Sequence, residues 1–244
     1  MKIDPDKITT DTFFRGRIQV MQYRLGYRFS IDAVILSHNV NPRPNDKIID
    51  LGTGSGIIPI MMVYRNPKID VCGIEIQRDL ADLALYNIKQ NRMDDKITIL
   101  CDDMKSVKID RSTFSPDWVV CNPPYSKANS GRINPNRQKA IARHEIKINL
   151  SDVINTAKSM LQLAGKFMII YPAKRMVDLI TKMRLAGIEP KFIRMIHSRK
   201  DTEAKLILVK GKKGGRFGVK IGAPLNVYKS DGSYTDEMKE MFTA

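Results

Sequence analysis

Short apolar segments alternate with longer amphipathic ones from residue 47 onward, and this alternation restricts the fold more than any other feature. The first unit reads as a strand at 47–51, a glycine-rich loop and a helix at 57–65, and the second as a strand at 70–76 and a helix at 78–91. Further strands are expected at 97–101, 117–121, 166–170, 190–197 and 204–210, with helices near 151–163 and 174–186. This order predicts an α/β fold with a doubly wound, mostly parallel sheet and an antiparallel strand near the C-terminus.

Composition excludes several protein classes. Of the 244 residues, 43% are hydrophobic and 27% are charged, as in ordinary globular proteins, and the length suits one domain. No apolar run approaches the roughly 20 residues that a membrane helix needs, and the N-terminus lacks the apolar core of a secretory signal. Cys72, Cys101 and Cys121 are too widely spaced for a zinc site or a disulfide framework. We therefore expect a cytoplasmic protein with no metal ion and no membrane association.

Positive charge is concentrated in the second half of the chain. The formal net charge is +15, and residues 118–244 carry 24 basic and 10 acidic side chains, against 17 and 16 in residues 1–117. The windows 118–144 and 204–230 contain no acidic residue. Such asymmetry favours a polyanionic partner, of which nucleic acid is the commonest. The candidate contacts are Lys127, Arg132, Arg137, Lys139, Arg143, Lys212, Lys213 and Arg216.

The loop DLGTGSG (50–56) joins the strand at 47–51 to its helix and is a candidate cofactor site. Glycines let the backbone approach a ligand, and amide groups at the start of a helix favour an anion. The G-x-G-x-G spacing of Gly52, Gly54 and Gly56 differs from the G-x-G-x-x-G of dinucleotide sites. Asp50 would repel a pyrophosphate but suits an ammonium group. Both details favour S-adenosylmethionine, with its carboxylate at the amides and its amine near Asp50.

Acidic residues also follow the next two predicted strands. Glu75 can accept two hydrogen bonds from ribose hydroxyls, although NAD sites use the same acid. Asp103 can accept from the exocyclic amine of an adenine, and Asp102 is a near-equal rival because the end of the strand is uncertain by a residue or two. Ligands of doubly wound sheets bind beyond the carboxyl ends of the strands. The three positions therefore support a single cofactor site.

The sequence Asn122-Pro123-Pro124-Tyr125 follows the strand at 117–121 and is the most specific signal in the chain. The Asn122 side-chain oxygen and the Pro123 carbonyl can each accept one N–H of a planar amino group, which directs the nitrogen lone pair at a sulfonium methyl. Proline restricts its own φ and the preceding residue, so this acceptor pair would be fixed before substrate arrives. Tyr125 offers a face for an extruded base, worth about 1–3 kcal/mol. No strong base is needed, because the proton becomes acidic once the methyl is attached.

These motifs resemble those of the class I, S-adenosylmethionine-dependent N6-adenine methyltransferases. The matching segments are DLGTGSG (50–56), GIEIQ (73–77), Asp102-Asp103 and NPPY (122–125). The chain is more closely similar to the bacterial tRNA adenine-N6 methyltransferases that modify nucleotide 37 of a valine tRNA. That likeness rests on GYRFSIDAVILS (26–37), ARHE (142–145) and PLNVYKSDGSYT (224–235).

The resemblance implies a Rossmann-like methyltransferase sheet, S-adenosylmethionine as donor, S-adenosylhomocysteine as product and tRNA as partner, with no obligate protein partner. By position it implies cofactor contacts from Asp50, Gly52, Gly54, Glu75, Asp103 and Asn122. It places the segment around Phe29 and Asp32 near the cofactor, so residues 1–45 are expected to pack at that site. Residues 46–244 are then the methyltransferase domain with a basic C-terminal extension.

Other functions share parts of this pattern. The same acceptor pair serves enzymes that methylate a glutamine amide of a release factor, but a protein substrate would not need the basic second half. Related enzymes act on guanine N2, and DNA adenine methylation would require a target-recognition domain for which the chain has little room. A non-catalytic RNA-binding protein with the same fold is disfavoured by the intact Asp50, Glu75 and NPPY motif.

Overall fold

The computed structural model describes residues 5–25, 28–110, 112–123 and 149–243. The helices in these ranges are α1 (Ile31–Asn39), α2 (Ile57–Arg65), α3 (Arg78–Gln90), α4 (Leu150–Met160), α5 (Met176–Leu185) and α6 (Asp236–Thr243). The strands are β1 (Ile8–Phe13), β2 (Ile18–Tyr23), β3 (Lys47–Leu51), β4 (Asp70–Glu75), β5 (Ile97–Cys101), β6 (Trp118–Cys121), β7 (Lys166–Pro172), β8 (Ile188–His197), β9 (Ala204–Lys213), β10 (Lys220–Ile221) and β11 (Leu225–Asn226). The elements predicted between residues 47 and 210 are all present, with ends shifted by at most three residues.

The main sheet has the order β10–β8–β9–β7–β6–β3–β4–β5, and β11 also pairs with β8. Among its described strands β9 alone is antiparallel to its neighbours, β7 and β8. All other pairings are parallel, from β3 with β4 and β6 to β10 and β11 with β8. This confirms the predicted doubly wound sheet with an antiparallel strand near the C-terminus.

Helices cover both faces of this sheet, which is why its central strands read as continuous apolar runs. Ile48 and Val120 belong to one hydrophobic cluster, which also holds the buried residues of α1 and α2. Ile49, Leu51 and Val119 belong to a second cluster on the opposite face, with α4 and α5. Burial of each such side chain stabilises the fold by about 1.5–3 kcal/mol.

An antiparallel hairpin, β1–β2, forms a separate two-stranded sheet at the N-terminus. Its turn holds Phe14, Arg15 and Gly16 at positive φ. The hairpin packs against α3, where backbone groups of β2 bond to the side chains of Asn87 and Asn91. The sequence did not predict this hairpin.

The C-terminal segment returns to the N-terminal one through stacked aromatic rings. Tyr228 stacks on Tyr234 and Tyr234 on Phe242, each with 5.3 Å between ring centroids. Phe242 stacks in turn on Phe13 at 6.0 Å, and Phe13 lies 5.5 Å from Phe29. Two segments that carry the family resemblance are therefore joined in space. Among the residues described, none of the helices is long and apolar enough to cross a membrane.

Candidate functional site

The carboxyl ends of β3, β4, β5 and β6 lie side by side at one edge of the sheet, here called the carboxyl edge. Leu51, at the end of β3, is in register with Ile74 of β4 and Cys121 of β6. Glu75, at the end of β4, is in register with Cys101 of β5. This edge gathers the described acids and transfer residues selected from the sequence, namely Asp50, Glu75, Asp102, Asp103, Asn122 and Pro123.

The glycine loop that follows β3 is held tightly between β4 and α3. The amide groups of Gly52 and Thr53 both donate to the carbonyl oxygen of Ile74, at 2.9 and 3.0 Å. Gly56 has φ +81°, and a Cβ atom there would lie 3.2 Å from the Cβ of Ala84. Gly52 has φ +74°, yet a Cβ atom there would meet nothing within 4 Å. The backbone at Gly52 therefore borders open space in which a ligand could approach it closely.

Asp50 is completely buried at the end of β3, and neither carboxylate oxygen has a hydrogen-bond partner among the described residues. Burial raises the pKa of Asp50 to about 7, and the charge of Glu75 adds to the shift while the neighbouring Thr53 hydroxyl opposes it. The hydroxyls of Thr53 and Ser55 are buried without partners as well. Leaving such groups unpaired costs about 1–3 kcal/mol each, and more for a charge. A ligand cation or donor placed here would remove that cost.

Glu75 already holds the glycine loop in place. Its Oε2 accepts from the Gly54 amide and its Oε1 from the Gln77 amide, both at 2.9 Å. Burial raises the pKa of Glu75, and the amides of Gln77, Gly54 and Ile76 oppose that shift. A carboxylate offers about four lone-pair sites, so about two are left for the bonds to ribose hydroxyls that the sequence predicts. Sequence reasoning missed the bracing role, which only the folded loop shows.

Asp102 and Asp103 have different surroundings just beyond β5. Asp102 Oδ1 accepts from the amide of Asp103 at 2.7 Å. Asp103 Oδ1 accepts from the amide of Lys105 at 2.9 Å, and its Oδ2 lies 3.8 Å from the Lys105 ammonium. Asp102 also lines a surface pocket of about 490 Å³ between α3 and β5, together with Ile99 and Val107. Which of the two carboxylates contacts a cofactor adenine stays open.

Asn122 and Pro123 follow β6 directly and lie within the described part of the chain, whereas Pro124 and Tyr125 do not. Asn122 is half-buried and Pro123 is buried. Beneath them the Cys121 thiol donates to the Leu51 carbonyl at 3.3 Å, which ties the end of β6 to that of β3. Burial raises the pKa of Cys121 well above its usual value. The thiol is therefore protonated, and the predicted transfer role stays with the asparagine–proline pair.

Phe29 and Asp32 stand at the start of α1, which packs against α2. The amide of Phe29 donates to Gln22 Oε1 at 2.8 Å, and its ring packs beside Phe13. Asp32 lies in the first turn of α1. Phe29 precedes α1, and α2, against which α1 packs, begins where the glycine loop ends. Their contact with a cofactor, and the packing of residues 1–45 around it, stay predictions.

The described basic residues selected from the sequence lie at the opposite, amino edge of the sheet. Lys212 is in register with Lys166, the first residue of β7. The Lys213 ammonium donates to the carbonyls of Lys158 and Leu161 at the end of α4, both at 2.7 Å. Arg216 is exposed in the connection after β9. The remaining candidates lie outside the described residues, namely Lys127, Arg132, Arg137, Lys139 and Arg143.

Arg199 and Lys200 lie at the carboxyl edge, although sequence reasoning did not select them. Both are exposed in the connection between β8 and β9. Asp201 and Glu203 follow them, so the window is nearly neutral and no charge run marks it. The signal that could have found them is topological, because antiparallel β8 and β9 must place their two flanking turns at opposite edges of the sheet.

These groups fit S-adenosylmethionine. The unpartnered Asp50 carboxylate suits its amine, and the open space at Gly52 lets a ligand lie against the backbone of the loop. The amides of Gly52, Thr53 and Gly54 already donate within the protein, so the predicted contact of the ligand carboxylate with these amides stays a prediction. Within the ranges described, no group of three or more His, Cys, Asp and Glu side chains is arranged to hold a metal ion.

Comparison with known proteins also indicates a methyltransferase. Residues 29–186 match the family model of the methyltransferase small domain. The chain is 32% identical over 176 residues to the tRNA1(Val) (adenine(37)-N6)-methyltransferase of Porphyromonas gingivalis, which covers 70% of this chain and 68% of that protein. Proteins of the same name are 26% identical over 204 residues in Vibrio campbellii, covering 79% and 82%, and 23% identical over 227 residues in Dyadobacter fermentans, covering 92% of each.

Solved structures share the fold. The crystal structure of a predicted O-methyltransferase from Agrobacterium tumefaciens has a TM-score of 0.66 at 22% identity, covering 86% of this chain and 94% of that one. A geranyl diphosphate C-methyltransferase from Streptomyces coelicolor A3(2), solved with S-adenosyl-L-homocysteine, has a TM-score of 0.53 at 15% identity and covers 74% of each chain. At these identities the likeness concerns the fold alone.

Proposed function

Because this chain belongs to the methyltransferase small domain family, we propose that it transfers a methyl group to N6 of an adenine in tRNA, namely adenine 37 of a valine tRNA. The chain is an S-adenosylmethionine-dependent methyltransferase, so the proposal concerns the acceptor. Relatives named for that acceptor align with up to 92% of the chain. The predicted cytoplasmic location agrees with a tRNA substrate and stays a prediction.

The observation that carries the proposal is the position of Asn122 and Pro123 beside the glycine loop. Asn122 and Pro123 follow β6, and the glycine loop follows β3. These two strands are neighbours and parallel, and their last residues are in register. Amide and peptide oxygens accept hydrogen bonds, so this pair suits a substrate whose methyl-accepting nitrogen carries N–H groups. An exocyclic amino group of a base has two such hydrogens.

The protein's own part in the reaction is positioning. S-adenosylmethionine, when bound, supplies an electrophilic methyl group on a positively charged sulfur. Asp50 would hold the amine of this donor beside the open space at Gly52, and Glu75 would keep the glycine loop in shape. The Asn122 side-chain oxygen and the Pro123 carbonyl would each accept one N–H of the substrate amine. Rigid acceptors of this kind need no reorganisation during the reaction.

Charge supports RNA over a protein substrate. Residues 118–244 hold 24 basic and 10 acidic side chains, and a glutamine-amide substrate would not need that excess. Arg199 and Lys200 are exposed at the carboxyl edge, on the same side of the sheet as Asn122, where a phosphate could reach them. Asp201 and Glu203 beside them leave this connection without net charge, so the support from charge rests on the total excess.

The test is methylation of defined RNA. The protein is incubated with labelled S-adenosylmethionine and a valine tRNA transcript, with the same transcript carrying guanine at position 37 as the matched control. We expect label in the first transcript only, and N6-methyladenine at position 37 by mass spectrometry. Label that persists in the control, or that enters a release factor and not tRNA, would refute the proposed acceptor.

A further inference from the structure

A fully buried amide side chain outside the predicted site, Asn87 of α3, makes three hydrogen bonds to two other parts of the chain. Its Oδ1 accepts from the Met21 amide at 2.8 Å. Its Nδ2 donates to the Met21 carbonyl at 3.0 Å and to the Ser55 carbonyl at 2.9 Å. Met21 lies in β2, whereas Ser55 lies inside the glycine loop. One side chain therefore joins the N-terminal hairpin to the loop.

Asn91, one helical turn later, repeats the contact with the hairpin but not the contact with the loop. Its Oδ1 accepts from the Gln19 amide at 3.1 Å, and its Nδ2 donates to the Gln19 carbonyl at 2.7 Å. Residues four apart in a helix rise by about 6 Å, close to the roughly 6.7 Å between alternate residues of a strand. Asn87 and Asn91 therefore cover the edge of β2 as a neighbouring strand would.

The hairpin carries this connection onward to the segment before α1. Gln22, next to Met21 and almost fully buried, accepts from the Phe29 amide at 2.8 Å through Oε1 and donates to Asp11 through Nε2. Asp11 also pairs with Arg28. The glycine loop and the segment at Phe29 are thus linked through Asn87 and β2, although neither contacts the other in the hydrogen bonds described here.

We propose that Asn87 is a positioning residue of the cofactor site, which holds the glycine loop through Ser55 and couples the order of that loop to the docking of the hairpin. The inference rests on the assignment of S-adenosylmethionine to this loop. Ser55 lies between Gly54, which Glu75 holds, and Gly56, which starts α2. Loss of the Asn87 bond leaves the buried Ser55 carbonyl without this donor. The loop conformation that binds the ligand is then less populated.

Coupling of this kind is reciprocal. If hairpin docking raises the affinity for the cofactor by some factor, cofactor binding favours hairpin docking by the same factor. A bound ligand that fixes Ser55 also favours the Asn87 geometry, and hence the Met21 bonds. A role confined to stability would lower the melting temperature without changing either affinity or protection at β2.

The experiment measures the Kd of S-adenosylhomocysteine by isothermal titration calorimetry for the wild type, Asn87→Ala and Asn91→Ala. Asn91→Ala is the matched control. It removes an amide side chain from the same helix and its bonds to Gln19 of β2, but it keeps the bond from Asn87 to the Ser55 carbonyl. We expect the Kd to rise about tenfold for Asn87→Ala, which loses both the Ser55 bond and the Met21 bonds. For Asn91→Ala, which weakens hairpin docking only, we expect a smaller rise of about twofold to threefold. Equal affinities in all three proteins, or equal losses in both variants, would overturn the proposal.

Hydrogen exchange supplies a second readout that needs no variant. In the wild type, S-adenosylhomocysteine should slow exchange of the β2 amides, Met21 included, and unchanged exchange would overturn the coupling. Should Asn87→Ala fail to fold, Asn87→Ser takes its place, since a hydroxyl can still donate one bond. A wild type that does not bind S-adenosylhomocysteine at all would refute the cofactor assignment instead, which keeps the two failures distinct.

Discussion

The buried carboxylate of Asp50 should make the unliganded protein less stable as pH rises. Burial raises the pKa of Asp50 from 3.8 to about 7 in the folded protein. The folded state then binds this proton more tightly than the unfolded state, so the contribution of Asp50 to stability is greatest below pH 3.8 and falls as pH increases toward 7. The full loss is about 4 kcal/mol, at about 1.4 kcal/mol per pH unit.

Asp50→Asn isolates this effect, because the amide has nearly the same shape but does not ionise. Burying an unpaired amide also costs free energy, but that cost does not change with pH. The difference in free energy of unfolding between variant and wild type should therefore grow in favour of the variant by about 2–3 kcal/mol between pH 5 and pH 8. Urea denaturation of both proteins across this range measures it.

Addition of S-adenosylhomocysteine tests whether Asp50 pairs with the ligand's amine. Its amine would pair with the ionised Asp50, so the ligand should stabilise the wild type at pH 8 more than Asp50→Asn. Two parallel stability profiles without ligand would refute the raised pKa. Equal stabilisation of both proteins by the ligand would refute the pairing of its amine with Asp50.

Three further predictions, tested by substitution, concern separate parts of the account. Asn122→Ala should remove most methyl transfer, measured with labelled donor, while leaving the Kd of S-adenosylhomocysteine within a few-fold; unchanged turnover contradicts the transfer role. Lys213→Ala should lower the free energy of unfolding by about 1–2 kcal/mol, because two helix-terminal carbonyls lose their cation, whereas Lys212→Ala should change it little; equal effects in urea denaturation contradict the cap. Asp103→Ala should weaken cofactor binding in calorimetry, and a loss seen only with Asp102→Ala would assign the adenine contact to that residue.

Much of the sheet could be predicted because its central strands are buried on both faces and read as continuous apolar runs. β3, at Lys47–Leu51, has the predicted bounds for this reason. The edge strand β5, Ile97–Cys101, also has the predicted bounds although it is partly exposed. The hairpin could not be predicted in this way. β1 and β2 are partly exposed and do not form continuous apolar runs, and β2 completes its hydrogen bonding with side chains of α3, 66 and 72 residues later.

In the candidate site, too, some features could be predicted from the sequence and others could not. Order along the chain was enough to place Asp50, Glu75 and Asn122 at one edge, because every parallel strand ends there. The bracing bond from Glu75 to Gly54 and the role of Asn87 depend on side chains meeting backbone groups from distant segments, which no local pattern records. Lys213 was selected for its charge, yet its nearest partners are carbonyls at the end of α4.

The most direct test of the central claim is a crystal structure of the protein with S-adenosylhomocysteine. The account predicts that the ligand's amine lies within about 3 Å of an Asp50 carboxylate oxygen, with its sulfur turned toward Asn122 and Pro123. A ligand bound away from the carboxyl edge, or one whose sulfur faces away from that pair, would contradict it.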